Sequence, residues 1–187
     1  MKVFLLNGTY EFIKNEAVDC IIRYNMQYPL NPFELAQKMG IKSVPYSILA
    51  QSQYSEALKC SPDGFSCENS TTTLIFYNST ANPRRMLQTI AHEIGHIKLD
   101  HSAGFLRSEI EEHEAKFFAK YIMVPPPLIH QLKVINASTI KENFNLSAEA
   151  AGYALTYYNH WFKQFQGNFK DYELKLLNYC KYSKQHS

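Results

Sequence analysis

His92-Glu93-Ile94-Gly95-His96 reads H-E-x-x-H, inside a segment where Leu87, Ile90, Ile94 and Ile97 recur at helical spacing. Helical residues four apart differ by about 40° in azimuth and about 6 Å in rise. His92 and His96 therefore project from one face and can hold one ion between them. Zn²⁺ is the expected occupant, because imidazole is a good ligand for it and catalytic zinc sites keep one position open for water. Glu93 lies about 100° further round the helix. That is off the ligand face but within reach of a proton on the water that the metal activates. The pattern predicts one zinc ion, a carboxylate base and hydrolysis.

Outward from the motif, Asn82-Pro83 supplies a capping side chain and a proline at the first helical position. Gly95 inside the helix costs about 1 kcal/mol relative to Ala, which predicts a close approach by a neighbouring element. Thr71-Thr72-Thr73-Leu74-Ile75-Phe76-Tyr77 is β-branched and aromatic and reads as a strand. A second strand is expected at Tyr46–Leu49, with Pro62-Asp63-Gly64 as a turn between them. Helices are expected over 12–28 and from Asn31-Pro32 to Gly40. Downstream, Ser108-x-x-Glu111 is a capping box. It opens a helix that runs through Ala115, Phe118 and Tyr121 to Val124 and stops at Pro125-Pro126-Pro127. The rest is helical in pattern. The fold class is α+β, with 1–127 as the domain that carries the motif. Residues 128–187 form a helical extension expected to pack on the same core.

The chain has 187 residues, 45% of them hydrophobic, enough for one packed domain. A formal net charge of +2 gives no electrostatic case for nucleic acid. The apolar run Val3–Leu6 is too short for a signal-peptide core, and no stretch approaches a membrane span. A cytoplasmic location with no membrane partner is expected. The four cysteines form no C-x-x-C pair and are expected to be free thiols.

Two histidines do not complete a catalytic zinc site; a third protein ligand is needed. The candidates are His101, Glu111, Glu112 and Glu114, with His113 beside them. His101 lies five residues after His96, one short of the metzincin spacing and without the helix-breaking Gly used there, so a helix-end role suits it better. Glu111 is engaged in the capping box. Glu109 and Glu112 share the first turn, where acidic residues complement the helix dipole. Glu114 is followed by Phe117, Phe118, Tyr121 and Ile122 at +3, +4, +7 and +8, so it lies on the face expected to be buried. A buried carboxylate is costly unless paired or bound to metal. Glu114 is therefore the expected third ligand, with an ion pair to Lys or Arg as the alternative.

Ile75-Phe76-Tyr77-Asn78, Arg84-Arg85, Thr89-Ile90-Ala91-His92-Glu93-Ile94-Gly95-His96 and Leu99-Asp100-His101 together resemble the core of the ImmA/IrrE family of zinc-dependent metallopeptidases. Glu112-His113-Glu114-Ala115-x-x-Phe118-Ala119, ending in Met123-Val124-Pro125, is similar to that family's second motif. The resemblance covers roughly residues 13–127. It implies that Glu114, directly before Ala115, supplies the third ligand. It also implies a zincin-like, gluzincin-type domain whose motif helix packs on a small, mainly antiparallel sheet. The function it implies is a zinc-dependent endopeptidase that cleaves a helix-turn-helix repressor and so derepresses a phage or other mobile element. A protein substrate is the expected partner.

In that chemistry Glu93 takes the proton of the attacking water and passes it to the leaving amine. A second donor would polarise the scissile carbonyl. Tyr77, Tyr121 and His113 are candidates, and the sequence does not choose among them. The strand at Thr71–Tyr77 is a candidate to receive the substrate as an added strand. The main rival is a DNA-binding regulator, since Glu34–Ile41 resembles the start of a helix-turn-helix and Ile140–Leu155 has a similar cadence. Neither carries a basic recognition helix, and 147–159 contains no Lys or Arg, so direct nucleic-acid binding is not expected. A protein-binding regulator with a structural, non-proteolytic metal is the other rival. Glu93 argues against it, because a closed structural site has no use for a base.

Overall fold

Capping side chains mark the starts of the helices at Pro32, Pro83, Glu109, Ala137 and Ala148. The computed structural model describes residues 6–68, 71–101 and 107–185. In chain order its elements start with α1 (Asn7–Arg23), α2 (Pro32–Lys38), β1 (Lys42–Pro45), α3 (Gln51–Cys60), β2 (Gly64–Glu68) and β3 (Thr73–Tyr77). They continue with α4 (Pro83–Lys98), α5 (Glu109–Met123), α6 (Pro126–His130), α7 (Ala137–Phe144), α8 (Ala148–Gln164) and α9 (Asp171–Gln185). Asn31 accepts from the Phe33 amide at 3.0 Å and Asn82 from the Arg84 amide at 3.0 Å, each with Pro next in line. Ser108 and Glu111 form the reciprocal capping box ahead of α5, at 2.7 and 3.2 Å. Each side chain satisfies an amide that the helix leaves without an internal partner.

The architecture is α+β. The sheet has the order β1-β3-β2. It is mixed rather than mainly antiparallel: β3 runs parallel to β1 (Ser43 beside Ile75) and antiparallel to β2 (Ser66 beside Ile75). A parallel pair needs a long connection, and α3 with β2 supplies it. The first strand lies four residues earlier than Tyr46–Leu49. Pro45 has no amide to continue a ladder, and Tyr46–Ile48 turns into a short 3₁₀ segment. That turn buries the Tyr46 ring, whose hydroxyl donates to the Ser61 carbonyl at 3.0 Å.

The motif helix α4 lies on this sheet. Ile90 and Ile94 are fully buried on its inner face. Gly64 of β2 is the point of closest approach: a Cβ there would sit 2.6 Å from Thr89 Cγ2 and 2.7 Å from the Phe76 carbonyl oxygen. On its other side α4 meets α5. A Cβ on Gly95 would stand 3.1 Å from the Ala115 carbonyl oxygen and 3.2 Å from Ala115 Cα, which is the close approach that glycine permits.

The chain divides into two compact units. The first takes residues up to Ile13 and Asn31–Ala119, and so holds the sheet, α2 to α4 and most of α5. The second takes Lys14–Leu30 and the chain from Lys120 onward. Its core includes Ala17, Val18, Ile21, Ile129, Ile140, Phe144 and Leu176, all buried. Polar ties close it: the Tyr28 hydroxyl donates to the Ile122 carbonyl at 2.7 Å, and Trp161 Nε1 donates to Glu173 at 2.8 Å. Among the described residues no helix is long and apolar enough to cross a membrane, and Cys20, Cys60, Cys67 and Cys180 form no disulfide.

Candidate metal centre and its cleft

His92 and His96 lie one turn apart on α4, as the helical register requires. Their Nε2 atoms are 3.1 Å apart. The third group is Glu112 of α5: Oε2 lies 3.4 Å from His92 Nε2 and Oε1 3.3 Å from His96 Nε2. Zinc binds His nitrogen and carboxylate oxygen tetrahedrally at about 2.0–2.2 Å. Two donors on such a tetrahedron stand about 3.3 Å apart by the same bond lengths. The His92–His96 separation matches that edge; each histidine meets a different oxygen of Glu112, and one ligand atom from each of the three residues lies within 4.8 Å of the others. Burial pushes both histidines below the ordinary value, His96 to about 2, with Arg107 adding to the effect there. A neutral imidazole whose proton sits on Nδ1 presents a lone pair on Nε2 to the space between these groups. The donor set therefore fits zinc, with a fourth position left to solvent or substrate.

Glu114 does not join this group. Two residues on a helix are about 200° apart around the axis, so Glu112 and Glu114 face different ways. Glu114 Oε2 instead meets His101 Nε2 at 2.9 Å. The burial argument for Glu114 found a carboxylate that does have a partner, and the partner is a histidine. What marks Glu112 is the small-residue contact. Ala115, packed against Gly95, and Phe118 follow it at three-residue spacing, so Glu112 heads the stripe of α5 that faces α4. The pairing of Gly95 with Ala115 was the available signal, and the larger aromatics of α5 masked it.

Glu93 is 2% exposed and faces β2, not the histidines. Its Oε2 accepts from the Ser66 amide at 2.8 Å, from Ser66 Oγ at 2.9 Å and from Arg107 at 3.0 Å. Arg107 also donates to Ser66 Oγ at 2.6 Å. No local pattern marks Ser66 or Arg107, because each reaches Glu93 across the fold. The three bonds all fall on Oε2.

A cleft of about 520 Å³ opens beside these groups, lined among others by His92, Glu93, Arg107, Glu112, Asp63 and Arg85. Asp63 and Arg85 form an ion pair on its rim. The candidate carbonyl donors do not line it. Tyr77 packs edge-on against Phe33, and the His113 ring contacts the Tyr10 hydroxyl at 3.4 Å. Tyr121 belongs to the second unit, buried near Tyr28, Tyr157, Tyr172 and Glu173. Arg85, Gln88, Arg107 and Lys116 are donors that do line the cleft. Strand addition to Thr71–Tyr77 is excluded, because β3 is paired on both edges. The edge strands are β1 and β2, and the Gly64 and Ser66 amides of β2 already donate to Ser61 Oγ and Glu93.

Residues 52–156 match the sequence model of the Peptidase M78 family, described as the IrrE N-terminal-like domain. The match runs from α3 into α8 and takes in more than half of the chain, including every residue of the cleft and its metal-binding group. No curated protein matches the chain.

Proposed function

The chain belongs to the IrrE N-terminal-like peptidase family, a family of metallopeptidases, and from that premise we propose that it is a zinc-dependent endopeptidase acting in the cytoplasm. The ligands are His92, His96 and Glu112, with Glu112 in the role first expected of Glu114. The observation that carries this reading is the convergence of His92, His96 and Glu112, with one ligand atom from each within 4.8 Å of the others, beside a cleft lined by Glu93. When bound, the zinc ion supplies Lewis acidity and lowers the pKa of water at its open position. Glu93 Oε1 takes the proton of the attacking water and delivers it to the departing amine. Ser66 and Arg107 fix the Glu93 carboxylate through its other oxygen, so that the base needs no reorientation during the reaction. The proposed substrate is a helix-turn-helix repressor, whose cleavage switches on a phage or other mobile element. The resemblance of the motifs and the open cleft support a protein substrate.

The test is co-expression with the repressor encoded beside the gene. Wild type is expected to yield a cleaved repressor. Glu93→Gln is expected to retain one zinc per chain by metal analysis and to yield none. His92→Ala is expected to lose the zinc. Cleavage by Glu93→Gln would overturn the mechanism. Intact repressor with wild type, together with a salt-dependent shift of operator DNA, would favour a regulator that binds nucleic acid.

A further inference from the structure

The end of α4 is built in a way that bears on His96. Leu99 closes the helix, and Asp100 takes the left-handed conformation at φ 55°. The His101 amide then donates to the His96 carbonyl at 3.0 Å, and the Asp100 amide to the Ile97 carbonyl at 3.3 Å. This pair of bonds is the Schellman motif, which brings the residue after the left-handed one back over the residue five before it. An apolar pair usually meets there. Here both positions are histidines, and their Nδ1 atoms are 3.0 Å apart. The His101 side chain is 5% exposed, and its other nitrogen reaches Glu114 at 2.9 Å. A carboxylate on α5, a histidine in the helix cap and a histidine on α4 thus form one chain of contacts. It ends on the far side of the His96 ring from Nε2.

We propose that His101 and Glu114 are positioning residues for His96. In this relay Glu114 accepts from His101 Nε2–H, and His101 Nδ1 accepts from His96 Nδ1–H, so that His96 presents an unprotonated Nε2 to the metal. The inference rests on the zinc site proposed above. The direction of the relay follows from it: a ligating Nε2 carries no proton, so the proton of a neutral His96 sits on Nδ1 and must be donated. Metal-bound histidines generally donate their second nitrogen to a carboxylate, carbonyl or water, and that partner fixes the ring and its tautomer. Here the carboxylate acts through an interposed imidazole. The five-residue spacing of His96 and His101 is then the spacing of a helix cap that sets one ring edge-on to another, not that of two ligands.

The experiment is zinc affinity by competition with a chromogenic chelator, with the thermal stability of the metal-free protein measured alongside. His101→Phe and Glu114→Leu are expected to bind zinc about 10–100-fold more weakly than wild type. Glu114→Gln keeps an acceptor at the same place and is expected to stay within about fivefold. Should His101→Phe fail to fold, the two Glu114 variants carry the comparison, since Glu114 is on the outer end of the relay. Wild-type affinity in folded His101→Phe or in Glu114→Leu would overturn the proposal, as would a loss in Glu114→Gln equal to that in Glu114→Leu. In each of these cases normal zinc binding by wild type and its loss in His92→Ala leave the zinc site standing. Absence of zinc binding by wild type overturns the site and the relay together.

Discussion

Glu93 is a buried carboxylate whose hydrogen bonds are gathered on one oxygen, and a guanidinium provides one of them. Removing that guanidinium leaves the Ser66 bonds but lets the carboxylate turn. A misplaced general base loses most of its contribution, which is typically 10²–10⁴-fold. Arg107→Ala is therefore expected to reduce cleavage by about 10–100-fold while zinc content stays at one per chain. Metal analysis beside a cleavage assay separates the two, and full activity in Arg107→Ala would remove Arg107 from the machinery. At this scale the pairing of His92 with His96 was legible because a four-residue spacing along one helix is itself the geometry. Glu112 was less so. Glu112 and Glu114 both precede buried residues of α5, and the sequence alone does not say which of two buried faces meets α4. That is decided by the backbone contact at Gly95 and Ala115, a fact about two helices at once.

Between elements, the tightest contact is that of β2 with α4 and β3. The space at Gly64 is closed by Thr89 Cγ2 and by the Phe76 carbonyl oxygen, neither of which is the loose end of a long side chain. Gly64→Ala must push α4 off the sheet or spread β2 from β3. Overpacking of this kind costs about 1–3 kcal/mol, so a lower urea midpoint by that amount is expected, with partial recovery in the double variant that adds Thr89→Ser. An unchanged midpoint would mean that the contact yields more easily than its atoms suggest. The helices at α2, α4 and α5 could be read from their first turns, since Asn-Pro and Ser-x-x-Glu act within four residues. β2 could not. Five residues with two glycine- or serine-sized side chains carry no period of their own, and their place in the sheet comes from pairing with Thr73–Tyr77. The same holds for the parallel pairing of β1, which depends on a connection that passes through α3.

For the molecule as a whole, the buried histidines couple stability to pH. An unfolded His96 takes up a proton below about 6.5, whereas the folded one, held neutral by burial, does so only near pH 2. His92 moves in the same direction. The stability they contribute is therefore complete above about pH 6.5 and is lost as the pH falls from there, at up to about 1.4 kcal/mol per pH unit for each proton. The metal-free protein is expected to unfold at lower urea at pH 5 than at pH 7, and His96→Asn should shrink that difference. Equal midpoints for wild type at the two pH values would contradict it.

The division of the chain also has a consequence for how it can change hands. Residues 14–30 belong with the chain from Lys120 onward. Tyr179 donates to Asn25 at 2.7 Å, and the Tyr28 ring packs against Phe144. The border between the units falls inside α1 and again inside α5. A single recombination breakpoint therefore transfers neither unit whole. Exchange of the C-terminal helices by one breakpoint parts them from residues 14–30, with which they share a unit.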